Sequence, residues 1–149
     1  MYENISRREM DYLLTIYDLN GLPDSDVYVR PINISRKLNI ARSTVVPMIR
    51  KLANKGLVNF VYHKGSKLTE MGKDIVEKYY WSHRILETFM VRYLKMDVGN
   101  ACWCARKFDI NVPYEVVSRM CELLNHPKCC PHGKPIPHKC DLEVGKCTA

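Results

Sequence analysis

Seven cysteines and five histidines hold most of this sequence's capacity for chemistry, and the cysteines are unevenly placed. None precedes Cys102; then come Cys102, Cys104, Cys121, Cys129, Cys130, Cys140 and Cys147. The N-terminus, MYENISRREM, has no apolar signal-peptide core, so the chain reads as cytoplasmic. An odd number of cysteines in a reducing compartment favours thiolate metal ligation over disulfides. Cys102-x-Cys104 puts two thiolates within one helical turn, and Cys129, Cys130, Cys140 and Cys147 crowd the tail. Such ligands select zinc, iron–sulfur clusters or copper(I) over Mn²⁺. Two readings follow. One is an iron–sulfur cluster held by four of these cysteines, sensing iron, redox state or oxygen. The other is a Zn²⁺ ion that pins the tail. The spacings Cys130-x9-Cys140 and Cys140-x6-Cys147 fit no standard zinc finger. Cys121 shares an apolar stripe with Val117, Met120 and Leu124 and reads as core. His126, His132 and His138 read as turn residues in preference to ligands. His83 and Glu87, four apart, lie on one helix face, and imidazole with carboxylate suits Fe²⁺, Mn²⁺ or Zn²⁺.

The elements that must position these residues follow from periodicity. Residues 5–20 carry Met10, Leu13, Leu14, Ile16, Tyr17 and Leu19 in a helical stripe, and Ser6 with Glu9 makes a capping box. Gly21, Pro23, Asp24 and Ser25 end it. Residues 28–40 start extended and turn helical at Pro31, with Ile32, Ile34 and Leu38 inward. After a three- or four-residue turn, Ser43 or Arg42 caps a second helix reaching about Lys55, and Gly56 closes it. This is a helix-turn-helix. Strand-forming Leu57–Tyr62, a turn at Lys64-Gly65-Ser66 and a return at Lys67-Leu68 make a short hairpin, a wing. Thr69 caps a long helix to about Leu94. Two more helices span about 99–109 and 113–124. Pro131, Pro135 and Pro137 keep the tail irregular.

The chain has 149 residues, 46% of them hydrophobic, and a formal net charge of +7. A basic balance favours a polyanionic partner. No apolar run approaches the ~18–20 residues of a membrane span, so no membrane association is expected. Nothing matches a thioredoxin Cys-x-x-Cys, a phosphate-binding glycine loop or a hydrolase triad, so neither an enzyme nor a small-molecule substrate is expected. The second helix of the helix-turn-helix should enter the major groove with short side chains leading. Arg42, Ser43, Thr44 and Pro47 are its first outward positions. Arg42 can reach a guanine edge or a phosphate, and Thr44 a phosphate or a thymine methyl. Arg36, Arg50, Lys51 and the wing's His63, Lys64 and Lys67 are placed for backbone contact. If the helix starts at Ser43 or Thr44, Pro47 costs at most one backbone bond.

These strings, in this order, resemble the diphtheria toxin repressor family of metal-dependent regulators. The matching pieces are MDYLLTIYDL, STVVPMIRKLANKGLV, KGSKLTEMGKDI, SHRILETF, YEVVSRM and HPKCCPHGKPIP, from about Glu9 to Pro137. The resemblance implies a mainly α protein: a winged helix-turn-helix domain (1–73), an all-helical dimerisation and metal-binding domain (74–126) and a Cys/Pro-rich tail (127–149). It implies a short form without the SH3-like domain of longer members. It also implies a homodimer on a palindromic double-stranded operator, acting as a repressor, with a transition metal raising DNA affinity. His83 and Glu87 match two ligands of one family metal site. Cys102 falls where a histidine usually supplies the third. Asp11 and Asp109 match ligands of the other site, in which Ile110 and Arg106 replace further ligands. Arg106 could stand in for a cation there, paired with Asp11 and Asp109. The sequence therefore leaves two regulators in view. One uses a thiolate metal centre or iron–sulfur cluster drawn from Cys102, Cys104, Cys129, Cys130, Cys140 and Cys147. The other is a mononuclear Fe²⁺ or Mn²⁺ repressor using His83, Glu87, Cys102 and Asp11.

Overall fold

A computed structural model describes residues 4–20 and 27–140. Cys147, and the Gly21–Ser25 break, lie outside the described residues. Six helices and a two-stranded antiparallel sheet follow in the order α1 (Arg7–Asn20), α2 (Pro31–Leu38), α3 (Arg42–Asn54), β1 (Val58–Val61), β2 (Gly65–Leu68), α4 (Glu70–Arg92), α5 (Val98–Phe108) and α6 (Tyr114–Leu123). The chain divides into two compact units between Val76 and Glu77, with α4 running through the division.

In the N-terminal unit the helix starts and stops are chemical. The Ser6 N–H donates to Glu9 Oε2 at 2.8 Å, and the Glu9 N–H donates back to Ser6 Oγ at 3.2 Å. This reciprocal box satisfies two N–H groups that α1 would leave orphaned. Pro31 opens α2, where a missing N–H costs nothing. Asn39, at φ 52°, ends it in the left-handed conformation, and three residues later α3 begins. Gly56 (φ 74°) closes α3, with the Leu57 N–H reaching Leu52 O at 3.0 Å. Thr69 caps α4 by accepting from the Gly72 N–H at 3.1 Å. The core is the shared inner face of the three helices: Met10, Leu13, Ile16, Ile34, Val45, Ile49 and Leu52 are all fully buried. Each such side chain contributes about 1.5–3 kcal/mol.

The hairpin pairs Val58 with Leu68 and Val61 with Gly65. Its return strand also bridges Val29, whose N–H donates to Ser66 O at 2.7 Å. Gly65 sits at φ 119°, and a Cβ there would stand 2.4 Å from Val29 O, so only glycine fits this junction.

One expectation is corrected. The N-cap of α3 is Ala41, with no side-chain cap bond, in place of Ser43 or Arg42. Because α3 starts at Arg42, Pro47 is a true interior proline. It forgoes the bond that a residue there would give to the carbonyl four positions earlier.

In the C-terminal unit, Trp81, Ile85, Leu86 and Met90 of α4 pack with Ala101 and Ala105 of α5, Val117 and Cys121 of α6, and Cys130 and Ile136 of the tail. The Asp97 side chain caps α5 by accepting from the Asn100 N–H at 3.0 Å. The tail is irregular but ordered by bonds. Cys130 N–H donates to Lys134 O and Ile136 N–H to Lys128 O, both at 2.9 Å. Gly133 N–H closes a tight turn onto Cys130 O at 2.8 Å. Proline second and glycine fourth suit that four-residue turn, Cys130–Gly133.

Candidate metal centre and nucleic-acid interface

The tight turn of the tail sets Cys130 and His132 beside α4. Donor atoms of Glu87, Cys130 and His132 lie within 4.8 Å of one another, and His132 Nδ1 contacts Glu87 Oε1. One turn earlier on α4, His83 Nδ1 lies 2.9 Å from Asp109 Oδ2. A carboxylate can only accept, so Nδ1 carries a proton, and in the neutral tautomer of the ring Nε2 holds the lone pair. That Nε2 faces Cys102 Sγ at 3.5 Å. Asp109 is fully buried, and Tyr79 stacks on the imidazole at 5.8 Å between centroids. A carboxylate that orients a histidine for a metal on its far nitrogen is a recurrent second layer around metal sites. Burial first, then the Glu87 charge, raises the Cys102 thiol above its ordinary pKa. A bound cation would reverse that balance and deprotonate the thiol. Imidazole, thiolate and carboxylate converging here suit a borderline cation such as Fe²⁺ or Zn²⁺.

A second group forms where α6 meets the tail. Cys121 Sγ lies 3.4 Å from His126 Nδ1 and 3.5 Å from His138 Nδ1. Cys140 Sγ lies 3.7 Å from His126 Nδ1 and 4.0 Å from His138 Nδ1. All four donor atoms fall within 4.8 Å of one another.

The expected ligands thus separate. Glu87 and Cys130 form the first group with His132, His83 and Cys102 face each other as a separate pair one turn earlier on α4, and Cys140 belongs to the second group. Cys104 does not join Cys102: residues two apart point to different sides of a helix, and Cys104 packs against the core. Cys129 is exposed, outside both groups. Asp11 is half-buried on α1 in the N-terminal unit. Asp109 meets His83 and acts as its orienting group, while Arg106 is exposed on α5. Among the described residues no four cysteines converge; the first group carries Cys130, Cys102 faces His83, and the second group carries Cys121 and Cys140. Sequence reasoning passed over Cys121, His126, His132 and His138. Cys121 is indeed buried among apolar residues, but its sulfur faces two imidazoles. The signal was available in the pairing of Cys121 with His126 on one side of the proline-rich stretch and His138-x-Cys140 on the other.

On the N-terminal unit, Arg42, Ser43, Thr44, Pro47, Arg50 and Lys51 are exposed along α3, Arg36 is exposed on α2, and His63 and Lys64 are exposed on the wing. Lys67 is half-buried, its ammonium 5.3 Å from the centroid of the Tyr28 ring. Lys51 also reaches Glu9 Oε1 at 3.2 Å. Tyr62, 76% exposed, meets the His63 ring edge-on at 4.7 Å between centroids, a pairing that strand periodicity did not reveal.

A winged helix-turn-helix followed by a helical unit with clustered N, O and S donors defines a metal-responsive regulator class. Residues 4–66 match the N-terminal DNA binding domain of the iron dependent repressors, and residues 69–138 match their metal binding and dimerisation domain. The chain belongs to the iron-dependent (diphtheria toxin) repressor family. An uncharacterized HTH-type transcriptional regulator of Aeropyrum pernix is 39% identical over 87% of this chain and 71% of its own length. The iron-dependent repressor IdeR of Mycobacterium tuberculosis is 28% identical over 97% of this chain, which spans only 61% of IdeR. A hypothetical protein of Sulfolobus solfataricus, known by crystal structure, superimposes with a TM-score of 0.78 at 34% identity, over 90% of this chain and all of that one. No helix among the described residues is long and apolar enough to cross a membrane.

Proposed function

We propose that this protein is a cytoplasmic, homodimeric repressor that binds palindromic duplex DNA through α3 and the wing. Its DNA affinity is set by a transition metal held by His83, Glu87, Cys102, Cys130 and His132. The observation that carries this reading is the His83 imidazole: Asp109 accepts a hydrogen bond from its Nδ1–H, and Nε2 is turned onto the Cys102 sulfur at 3.5 Å. A histidine in an ordinary surface pair would not need a fully buried carboxylate to fix its tautomer. A metal here supplies a positive charge that joins α4, α5 and the tail turn. Fe²⁺ fits the mixed N, S and O donors best, with Zn²⁺ and Mn²⁺ as competitors. With two thiols in this group and two in the other, a mononuclear centre is favoured over a four-cysteine iron–sulfur cluster.

A dimer surface is available in the same unit. Phe89, Val116, Met120 and Leu123 line an apolar groove with Glu115 and Arg119 at its edges. Two-fold pairing of such a patch would make a self-complementary dimer interface.

The test is selection of DNA from a random duplex library by purified protein, anaerobically, with Fe²⁺, Mn²⁺, Zn²⁺ or a chelator. Recovery of one inverted-repeat sequence that needs metal supports the reading. Metal-independent or sequence-blind binding contradicts it.

A further inference from the structure

We propose that Cys121, His126, His138 and Cys140 hold a structural Zn²⁺ ion that clasps the base of the tail loop, separate from the His83–Glu87 centre. Two donors at zinc bond lengths of about 2.3 Å (sulfur) and about 2.0–2.1 Å (nitrogen), at a tetrahedral angle, stand about 3.5–3.6 Å apart. The four sulfur–nitrogen distances are 3.4, 3.5, 3.7 and 4.0 Å. The four donors are thus already spaced for one shared tetrahedral ion.

The ring protons agree. His138 Nε2 lies 3.1 Å from Pro127 O, a pure acceptor, so Nε2 carries the hydrogen and Nδ1 is left as the donor facing both sulfurs.

The backbone is bent to make the site. At the end of α6, Asn125 N–H bonds Glu122 O at 2.8 Å and His126 N–H bonds Cys121 O at 2.9 Å. This Schellman turn folds His126 back over Cys121. It holds Asn125 and His126 at φ 56° and 49°, two consecutive left-handed residues, neither of them glycine. Keeping a histidine where glycine would be easier implies that its side chain is needed.

Two thiolates with two imidazoles and no carboxylate form a closed set that selects zinc and leaves no position for a regulatory ligand. The donors bracket residues 127–137, a stretch from which few side chains enter the core (Cys130 and Ile136 among them). An ion here ties both ends of the loop that carries Cys130 and His132 to Glu87. That consequence rests on the function proposed above; zinc binding itself does not.

The test is metal analysis and zinc-edge X-ray absorption on the full chain after dialysis against a mild chelator. One retained equivalent of zinc is expected, with two sulfur and two nitrogen neighbours, kept by His83→Ala and lost by Cys140→Ser. Absence of retained zinc, a shell without two sulfurs, or retention by Cys140→Ser would overturn the proposal. Should Cys140→Ser not fold, the wild-type shell and the His83→Ala zinc content decide. DNA binding indifferent to Fe²⁺ or Mn²⁺ would sink the proposed function and leave the zinc result untouched.

Discussion

Lys55 Nζ lies 2.8 Å from Oε1 of Glu9, a carboxylate only 1% exposed, so the C-terminal end of α3 is fastened to the first turn of α1. Lys51 adds a second contact at 3.2 Å.

Burial works against the ionised Glu9, but Lys55, Ser6 and Lys51 outweigh it and hold its pKa at about 2 against an ordinary 4.5. The pKa is depressed on folding, so its stabilisation is complete above about pH 4.5 and is lost as the pH falls towards 2. A shift of this size corresponds to about 3 kcal/mol. Glu9→Gln should lower stability at pH 7 by about 1–3 kcal/mol and flatten the acid limb of the stability profile. Urea unfolding from pH 7 to 2 checks this, and an unchanged acid limb would refute it.

Two glycines should respond differently to the same change. Gly65→Ala forces a Cβ to 2.4 Å from Val29 O at φ 119° and is expected to cost about 3 kcal/mol or more. Gly56→Ala, at φ 74° with open space around it, should cost only about 1 kcal/mol. Equal losses in denaturant midpoint would mean that the wing junction with Val29 is not as described.

Asp109→Asn should leave the helical fold intact but replace the charged acceptor that fixes the His83 tautomer with a neutral amide that can also donate. Metal affinity at the first centre is expected to fall about 10–100-fold. Calorimetric titration with Mn²⁺ or anaerobic Fe²⁺ would show it; wild-type affinity would remove Asp109 from the site.

On DNA, Arg50→Ala should weaken binding alike for all sequences and reduce the salt slope by about 1, as a phosphate contact does. Arg42→Ala should cost about 1–3 kcal/mol and relax preference at one position of the half-site. Identical salt slopes for wild type and Arg50→Ala would place Arg50 away from the backbone.

Local rules carried the N-terminal unit. Ser6 with Glu9, Pro31, Gly56 and Thr69 each act within a few residues, and the structure has them at the helix ends where those rules put them. The α3 start was missed because Ala41 caps without a side chain, leaving no polar residue to read. The metal groups were half legible. The four-residue spacing of His83 and Glu87 is a helix property, and their resemblance to family ligands supplied Cys102. Cys130 and His132 reach Glu87 only because the tail turns at Gly133, and His126 reaches Cys121 only through a left-handed cap. Neither reversal leaves a periodic trace. Counting thiols suggested one pool of cysteines, whereas among the described residues Cys121 and Cys140 gather with two histidines, Cys130 with Glu87 and His132, and Cys104 and Cys129 with neither group.

The central claim is that the metal held by His83 and Glu87 governs DNA affinity. The direct measurement is fluorescence anisotropy of the selected operator duplex, anaerobically, with wild type and Glu87→Gln titrated side by side with and without Fe²⁺. Wild type should tighten by about 5–150-fold with metal, the range of ordinary site-to-site coupling, while Glu87→Gln stays at the metal-free affinity. An equal response in both proteins, or none in wild type, would contradict the account.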